Sequence, residues 1–260
     1  MKRIHRAAFG AAFYALLSLP ASAQWQGSIG AGARSATHTE YDLAGRQLVR
    51  EDGWLPGASL RAGYQRGDVT WFGSADWYQG GIDYRGRTQA GVAAVSSTST
   101  RLASARLGVS YAWGSHSILA AVELDHWKRD ILGTATSAGL QETYRSRRLL
   151  LGTGKTWGTG AGTVSADAAA VLAAPERMRI GFSGLFDPVS LDTRRAHGLR
   201  LGVDVLPAWA PSLQLRSRVD WLKVPRSGEV ALTANGAWRG TVTQPEHVRK
   251  ALTLELATIF

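Results

Sequence analysis

The last ten residues alternate. In Ala251-Leu252-Thr253-Leu254-Glu255-Leu256-Ala257-Thr258-Ile259-Phe260, one face carries Leu252, Leu254, Leu256, Thr258 and Phe260, the other Ala251, Thr253, Glu255 and Ala257. A period of two is the signature of a β-strand with unlike faces, because successive Cβ atoms leave a pleated backbone on opposite sides. The same alternation returns over 25–34, 55–66, 69–82, 101–113, 117–129, 144–157, 162–173, 198–207, 212–223 and 247–260. Gly67-Asp68, Gly114-Ser115-His116, Gly158 to Ala161 and Ala208 to Pro211 make short connections of the residues tight turns favour. Longer polar stretches, 35–54, 83–100, 130–143, 174–197 and 224–246, separate the others. Ten strands with short and long connections in alternation bring both ends to the short-turn side.

Parity sorts the residues of each strand between two surroundings. On 101–113 the residues Ala103, Ala105, Leu107, Val109, Tyr111 and Trp113 share a face against Ser104, Arg106 and Ser110; on 198–207 Leu199, Leu201, Val203 and Val205 oppose Arg200 and Asp204. A soluble sandwich buries the apolar face, whereas a membrane barrel shows it to lipid. Tryptophan placement favours the barrel. Trp25, Trp71, Trp113 and Trp157 sit beside the short turns, and Trp77, Trp127 and Trp221 near the other strand ends, with Trp54 and Tyr144. Two aromatic belts suit two membrane interfaces.

The N-terminus agrees with export. Lys2, Arg3, His5 and Arg6 precede an apolar run from Ala7 to Leu19, Pro20 ends it, and Ala21-Ser22-Ala23 supplies small residues for cleavage. We therefore expect a signal peptide at 1–23 and one domain, an outer-membrane β-barrel, at 24–260. With no cysteine, disulfides and thiolate metal sites are excluded. No cofactor or metal set is apparent. The net charge of +10 points a secreted chain toward anionic outer-membrane lipid and lipopolysaccharide rather than nucleic acid. The expected fold is all-β: a closed, antiparallel, up-and-down transmembrane barrel of about ten strands. The terminal strand with Leu252, Leu254, Leu256 and Phe260 resembles the assembly signal of outer-membrane barrels, which implies the barrel assembly machinery as a partner.

Inward parity collects Arg61, Asp76, Arg106, Glu123, Asp125, Arg148, Asp167, Arg200, Asp204, Arg216, Arg218, Asp220 and Glu255. Both signs interleave, and small barrels are filled by side chains, so an ion-pair network closing the lumen is expected, with a narrow water-filled pore as the alternative. Arg46, Arg50, Arg85, Arg87, Arg101, Lys128, Arg129, Arg177, Arg179, Arg194, Arg195, Arg226, Arg239, Arg249 and Lys250 gather at the loop-side rim, level with lipid phosphates.

Ala138-Gly139-Leu140-Gln141-Glu142-Thr143 is similar to the Ala-Gly-Tyr-Gln-Glu-Thr signature of the omptins, a family of ten-stranded outer-membrane proteases. That resemblance implies the barrel and five surface loops. It does not extend to the omptin aspartate pair and Asp-x-His dyad: the chain contains no Asp-x-His and no Trp-Thr-Asp, and Asp125-His126 points to opposite faces. Two smaller constellations invite acid–base or cation chemistry, His38 with Glu40 and Asp42, and Glu123 with Asp125; their plain alternatives are a polar loop ladder and pairing with Arg106 or Arg148. Gly181-Phe182-Ser183-Gly184-Leu185-Phe186-Asp187-Pro188 is apolar for an exposed loop. It would fold over the mouth, lie on lipid or meet a partner. Three functions remain as expectations: a non-enzymatic barrel acting through loops 35–54, 174–197 and 224–246, a narrow channel for small polar or anionic solutes, and an omptin-like or lipid-modifying surface hydrolase.

Overall fold

The computed structural model describes residues 24–87, 92–135 and 137–260, so the expected signal peptide lies outside the described residues. The chain forms β1 (Gln24–Tyr41), β2 (Gln47–Arg66), β3 (Val69–Arg87), β4 (Ala93–Trp113), β5 (His116–Ile131), β6 (Leu140–Thr159) and β7 (Gly162–Ala173). Then come β8 (Arg177–Gly181), β9 (Val189–Asp192), β10 (Ala196–Pro207), β11 (Leu213–Val224), β12 (Val230–Ala234), β13 (Ala237–Val242) and β14 (Glu246–Ile259). β1 to β7 pair in succession, β7 pairs β10, β10 pairs β11, and β11 pairs β14. β14 returns to β1, with Ala31 opposite Leu256. All ten pairings are antiparallel. The wall is closed.

The short turns fall where Gly permits them: Gly67 and Gly114 take φ of 58° and 61°, left-handed values that two-residue hairpins need. The long connections differ from expectation. Most of 35–54 is strand, with only 42–46 between β1 and β2, and β3, β4, β5 and β6 likewise run on into 83–100 and 130–143. The physical reason is that the ladder needs only backbone hydrogen bonds. Beyond the hydrocarbon both faces are wet or charged, so the apolar period fades while pairing continues, as in Thr37 opposite Lys250 and His38 opposite Arg249. The barrel therefore stands well above the membrane on its loop side.

Outside, Ile29, Leu60, Leu107, Val122, Leu124, Leu149, Leu151, Leu172, Leu199, Leu201, Leu215 and Leu256 are exposed around the ring. Trp25, Trp71, Trp113, Trp157 and Phe260 are exposed at the short-turn end, and Trp54 and Trp77 further up the wall. Leu252, Leu254, Leu256 and Phe260 share this outer face, and Trp221, half-buried, packs edge-on to His197. An apolar band this continuous suits hydrocarbon, not water.

Trp127 and Tyr144 are corrections to the outer belt. The parity that sends Glu123 and Asp125 inward sends Trp127 with them, and Tyr144 shares parity with Arg148. Trp127 is only 4% exposed, donates from Nε1 to Thr100 Oγ1 at 2.6 Å, and stacks on Tyr144.

Leu107, 73% exposed on β4, separates lipid from water as its surroundings. Leu107→Arg should cost about 2–4 kcal/mol near the bilayer midplane and reduce folding yield into vesicles. Unchanged urea unfolding in vesicles would contradict a lipid-facing band.

Candidate functional site

Inside the wall the charged side chains meet in tiers. Nearest the short turns, Arg61 lies 3.5 Å from both Asp204 and Glu255, and Tyr78 donates to Glu255. Arg216 donates to Ser28 and Gln214, and Arg218 reaches Asp76 at 3.5 Å. In the middle tier Arg200 bridges Asp220 and Glu123, each at 2.6 Å. Arg148 joins Glu123 at 3.2 Å to Asp125 at 2.8 Å, and Arg34 reaches Asp220 at 3.0 Å. The carboxylates weighed for acid–base work, Glu123 and Asp125, are thus each held by guanidinium. Arg106 donates to Ser74 at 3.4 Å, and neither it nor Asp167 has an ion-pair partner among the described residues.

The uppermost tier lies outside the expected lumen set. Arg129 is 2.6 Å from Glu142, 2.8 Å from Glu51 and 3.5 Å from Glu40. Glu176, the residue just before β8, takes two bonds from Arg249 at 2.8 and 2.7 Å. Arg249 also lies over the rings of Trp127 and Tyr144. Arg129 and Arg249 are therefore corrections to the rim cations. Parity is the signal that identifies them, since Arg129 follows Trp127 and Arg249 precedes Ala251 on the inward face.

His38 and Glu40 bond at 2.9 Å inside the mouth, but Asp42 does not join them. It caps the β1–β2 turn, accepting from the amides of Ala44 and Arg46 and from the Arg46 guanidinium. No group of three metal-ligating side chains occurs among the described residues.

Above this tier the long connections form a cap. β8 continues the sheet beside the top of β6, Arg145 opposite Arg177 and Gln141 opposite Gly181, and β9 pairs with β8. Met178, Ile180 and Leu191 pack on Trp127 and Tyr144, joined by Phe182, Val230 and Val242. Of the apolar segment 181–188, Phe182 therefore turns into the mouth. Asp187 fastens the β12–β13 hairpin, accepting from Thr233 Oγ1 and from the amides of Asn235 and Gly236.

No protein family and no curated protein matches the chain in sequence. In structure it is similar to the outer membrane protease OmpT of Escherichia coli, with a TM-score of 0.58 at 9% identity over 93% of this chain and 97% of that one. The chain is an outer-membrane β-barrel. Its ten-stranded, omptin-like wall is shared with OmpT; at that identity the likeness speaks for the fold alone. The translocator domain of the autotransporter NalP from Neisseria meningitidis gives a TM-score of 0.48 at 10% identity, covering 96% of this chain and 92% of that one. The Yersinia pestis attachment invasion locus protein Ail, crystallised with a heparin analogue, gives 0.35 at 11%, covering 91% and 99%.

His38 lies 13 positions beyond Trp25 on β1, past the roughly 9–11 residues a membrane strand uses. Burial, with help from Arg129, holds its pKa down at about 3, so it is neutral in the fold. An unfolded chain takes up that proton below pH 6.5, so this contribution is full above 6.5 and is lost as pH falls toward 3. Over that window His38 should weaken resistance to urea in vesicles with a slope of up to about 1.4 kcal/mol per pH unit, and His38→Gln should reduce the overall slope, His247 beside it, also held down by burial, contributing in the same direction. An identical pH profile for the variant would refute the assignment.

Proposed function

We propose that this barrel is a closed, non-enzymatic surface platform whose cap, built from 174–197 and 224–246, makes its contacts outside the cell. The observation that carries this reading is the stacking of three ionic tiers beneath an apolar lid. Between the middle and upper tiers there is a chamber of about 70 Å³ bordered by His38, Asp125, Trp127 and Arg148, room for a few water molecules. Conduction through such a lumen requires charged side chains to part from partners within 2.6–3.2 Å, and stripping a buried ion of its partner costs about 3–5 kcal/mol. A hydrolytic role has less support, because Glu123 and Asp125, the carboxylates weighed for acid–base work, are committed to arginine and Asp42 turns away from His38.

Residues that the cap leaves open are its contact candidates. Trp238 is 70% and Leu185 60% exposed, each beside a hairpin turn. The expected 1–23 leader would deliver the chain across the inner membrane, and the outward Leu252, Leu254, Leu256 and Phe260 would present it to the barrel assembly machinery. Phosphorylated lipid of the outer leaflet would surround the finished wall.

Purified protein in planar bilayers should show no conductance steps in molar salt, and Arg200→Ala should unfold more readily rather than conduct. An epitope inserted after Gly236 should be stained on intact cells. Uniform steps from the wild-type protein would overturn the closed lumen; a tag stained only after the outer membrane is permeabilised would overturn the surface role.

A further inference from the structure

The β12–β13 hairpin stands apart from the wall. It is a two-stranded sheet of its own, and no strand of the barrel pairs with it among the described residues. Its ladder is short and carries a bulge: Leu232 lies opposite Gly240 and Thr233 opposite Trp238, which leaves Arg239 without a facing residue. Underneath, Val230 and Val242 rest on the apolar floor of the mouth, where Met178, Ile180 and Leu191 pack on Trp127 and Tyr144.

Two attachments hold the hairpin down, and they differ in kind. At its base the Ser227 amide donates to the Gln244 carbonyl at 3.0 Å, and the Gln244 amide to Ser227 Oγ at 2.9 Å. Gln244 Nε2 also donates to Glu40 Oε1 at 3.0 Å. Ser227 and Gln244 are both buried, so this end is anchored in the uppermost ionic tier. At the tip the fastening is Asp187. Its carboxylate accepts from Thr233 Oγ1 at 2.6 Å and from the amides of Asn235 and Gly236 at 3.2 and 3.0 Å. Its own amide donates to the Thr233 carbonyl at 2.8 Å. Asn235 and Gly236 take φ of 52° and 76°, the left-handed pair of a tight hairpin turn, and both their amides meet the carboxylate. Asp187 is half-buried, within reach of water, unlike the base. A hairpin pinned at one end and fastened at the other by one side chain turns about its base when that fastening is lost.

We infer that β12–β13 is a hinged lid over the apolar floor of the mouth, and that Asp187 is its latch. Closed, the lid keeps Met178, Ile180 and Leu191 from water. Open, it shows them to the outside, so the cap has two surfaces to offer rather than one. The ionic tiers beneath keep their bonds in both states. The inference goes beyond the platform reading, which needs the cap in one state.

The chain contains no cysteine, so M178C places a sole thiol on the floor, where Met178 is fully buried. The test measures how fast a water-soluble maleimide modifies that thiol with the full barrel in vesicles, a rate that follows the open population. L191C is a second probe of the floor, in case M178C disturbs the packing, and L150C, buried inside the wall, reports general loosening. With Asp187 intact, both floor probes should react slowly. D187A should speed them about tenfold or more, the population shift expected from losing hydrogen bonds to a charged group. D42A removes the carboxylate that caps the β1–β2 turn in the same way, and it should change neither rate. L150C should stay unmodified throughout. Unchanged floor rates in D187A, an equal gain in D42A, or L150C reacting in step with the floor would each overturn the latch. So would floor probes that react as fast as L185C with Asp187 in place. Bilayer conductance tests the closed lumen separately, so either reading can fail alone.

Discussion

Closure of the backbone ladder is the constraint on which every other feature of the barrel depends. In hydrocarbon an unpaired strand edge costs several kcal/mol for each exposed polar group, so a sheet that enters a membrane must return to its own first strand. Here β14 meets that demand by pairing with β1 from Ser28 opposite Ile259 to Tyr41 opposite Glu246. Once the ring closes at ten strands, alternate residues are confined to a cylinder narrow enough for opposite walls to touch. Charges placed there have nowhere to go but toward each other. The resulting pairs cross the lumen between strands remote in sequence, such as Arg34 with Asp220, Arg200 with Glu123, and Arg218 with Asp76. Arginine suits this work because its planar fork reaches two acceptors at once, as Arg200 does with Glu123 and Asp220.

How much of this could be read from the sequence depends on which period carried the information. Within the membrane the outer face must be apolar, so Leu199, Leu201 and Val203 against Arg200 and Asp204 settle both strand and face. Above the membrane that contrast disappears. Thr37, His38, Thr39 and Glu40 look like loop because both faces are polar, although each has a backbone partner on β2 and β14. Trp127 shows a second kind of ambiguity. Its residue type argues for an interface, its parity argues for the interior, and parity wins because register moves a whole strand at once. Following parity alone past Asp125 leads to Trp127 and Arg129, and with them to the uppermost tier. Glu176 offers no such route, since it lies in a connection and reaches Arg249 only through the tertiary fold.

The cap obeys the same geometry. Where β7 ends at Ala173, the top of β6 would present bare backbone, and β8 fills the place instead. That substitution brings Met178, Ile180 and Leu191 over the aromatic pair at the mouth, giving the extramembrane segment an apolar core of its own. Water thus meets the protein above the lid, hydrocarbon meets it below, and the ionic tiers lie sheltered from both.

The chain's positive charge is sorted by the same parity. The lumen holds carboxylates for its guanidiniums: Arg129 alone is faced by Glu40, Glu51 and Glu142. The interior therefore absorbs none of the basic excess of the sequence, and that excess must lie on the outer wall and rim. Neighbouring residues show how fine the sorting is. Lys128 and Arg129, or Arg147 and Arg148, differ by one step along a strand, and that step separates a surface cation from one held in a buried pair. Moving any of these strands by a single residue would exchange the two populations, leaving carboxylates in lipid and repelling cations in the lumen. The charge pattern thus reinforces the register that the apolar band selects.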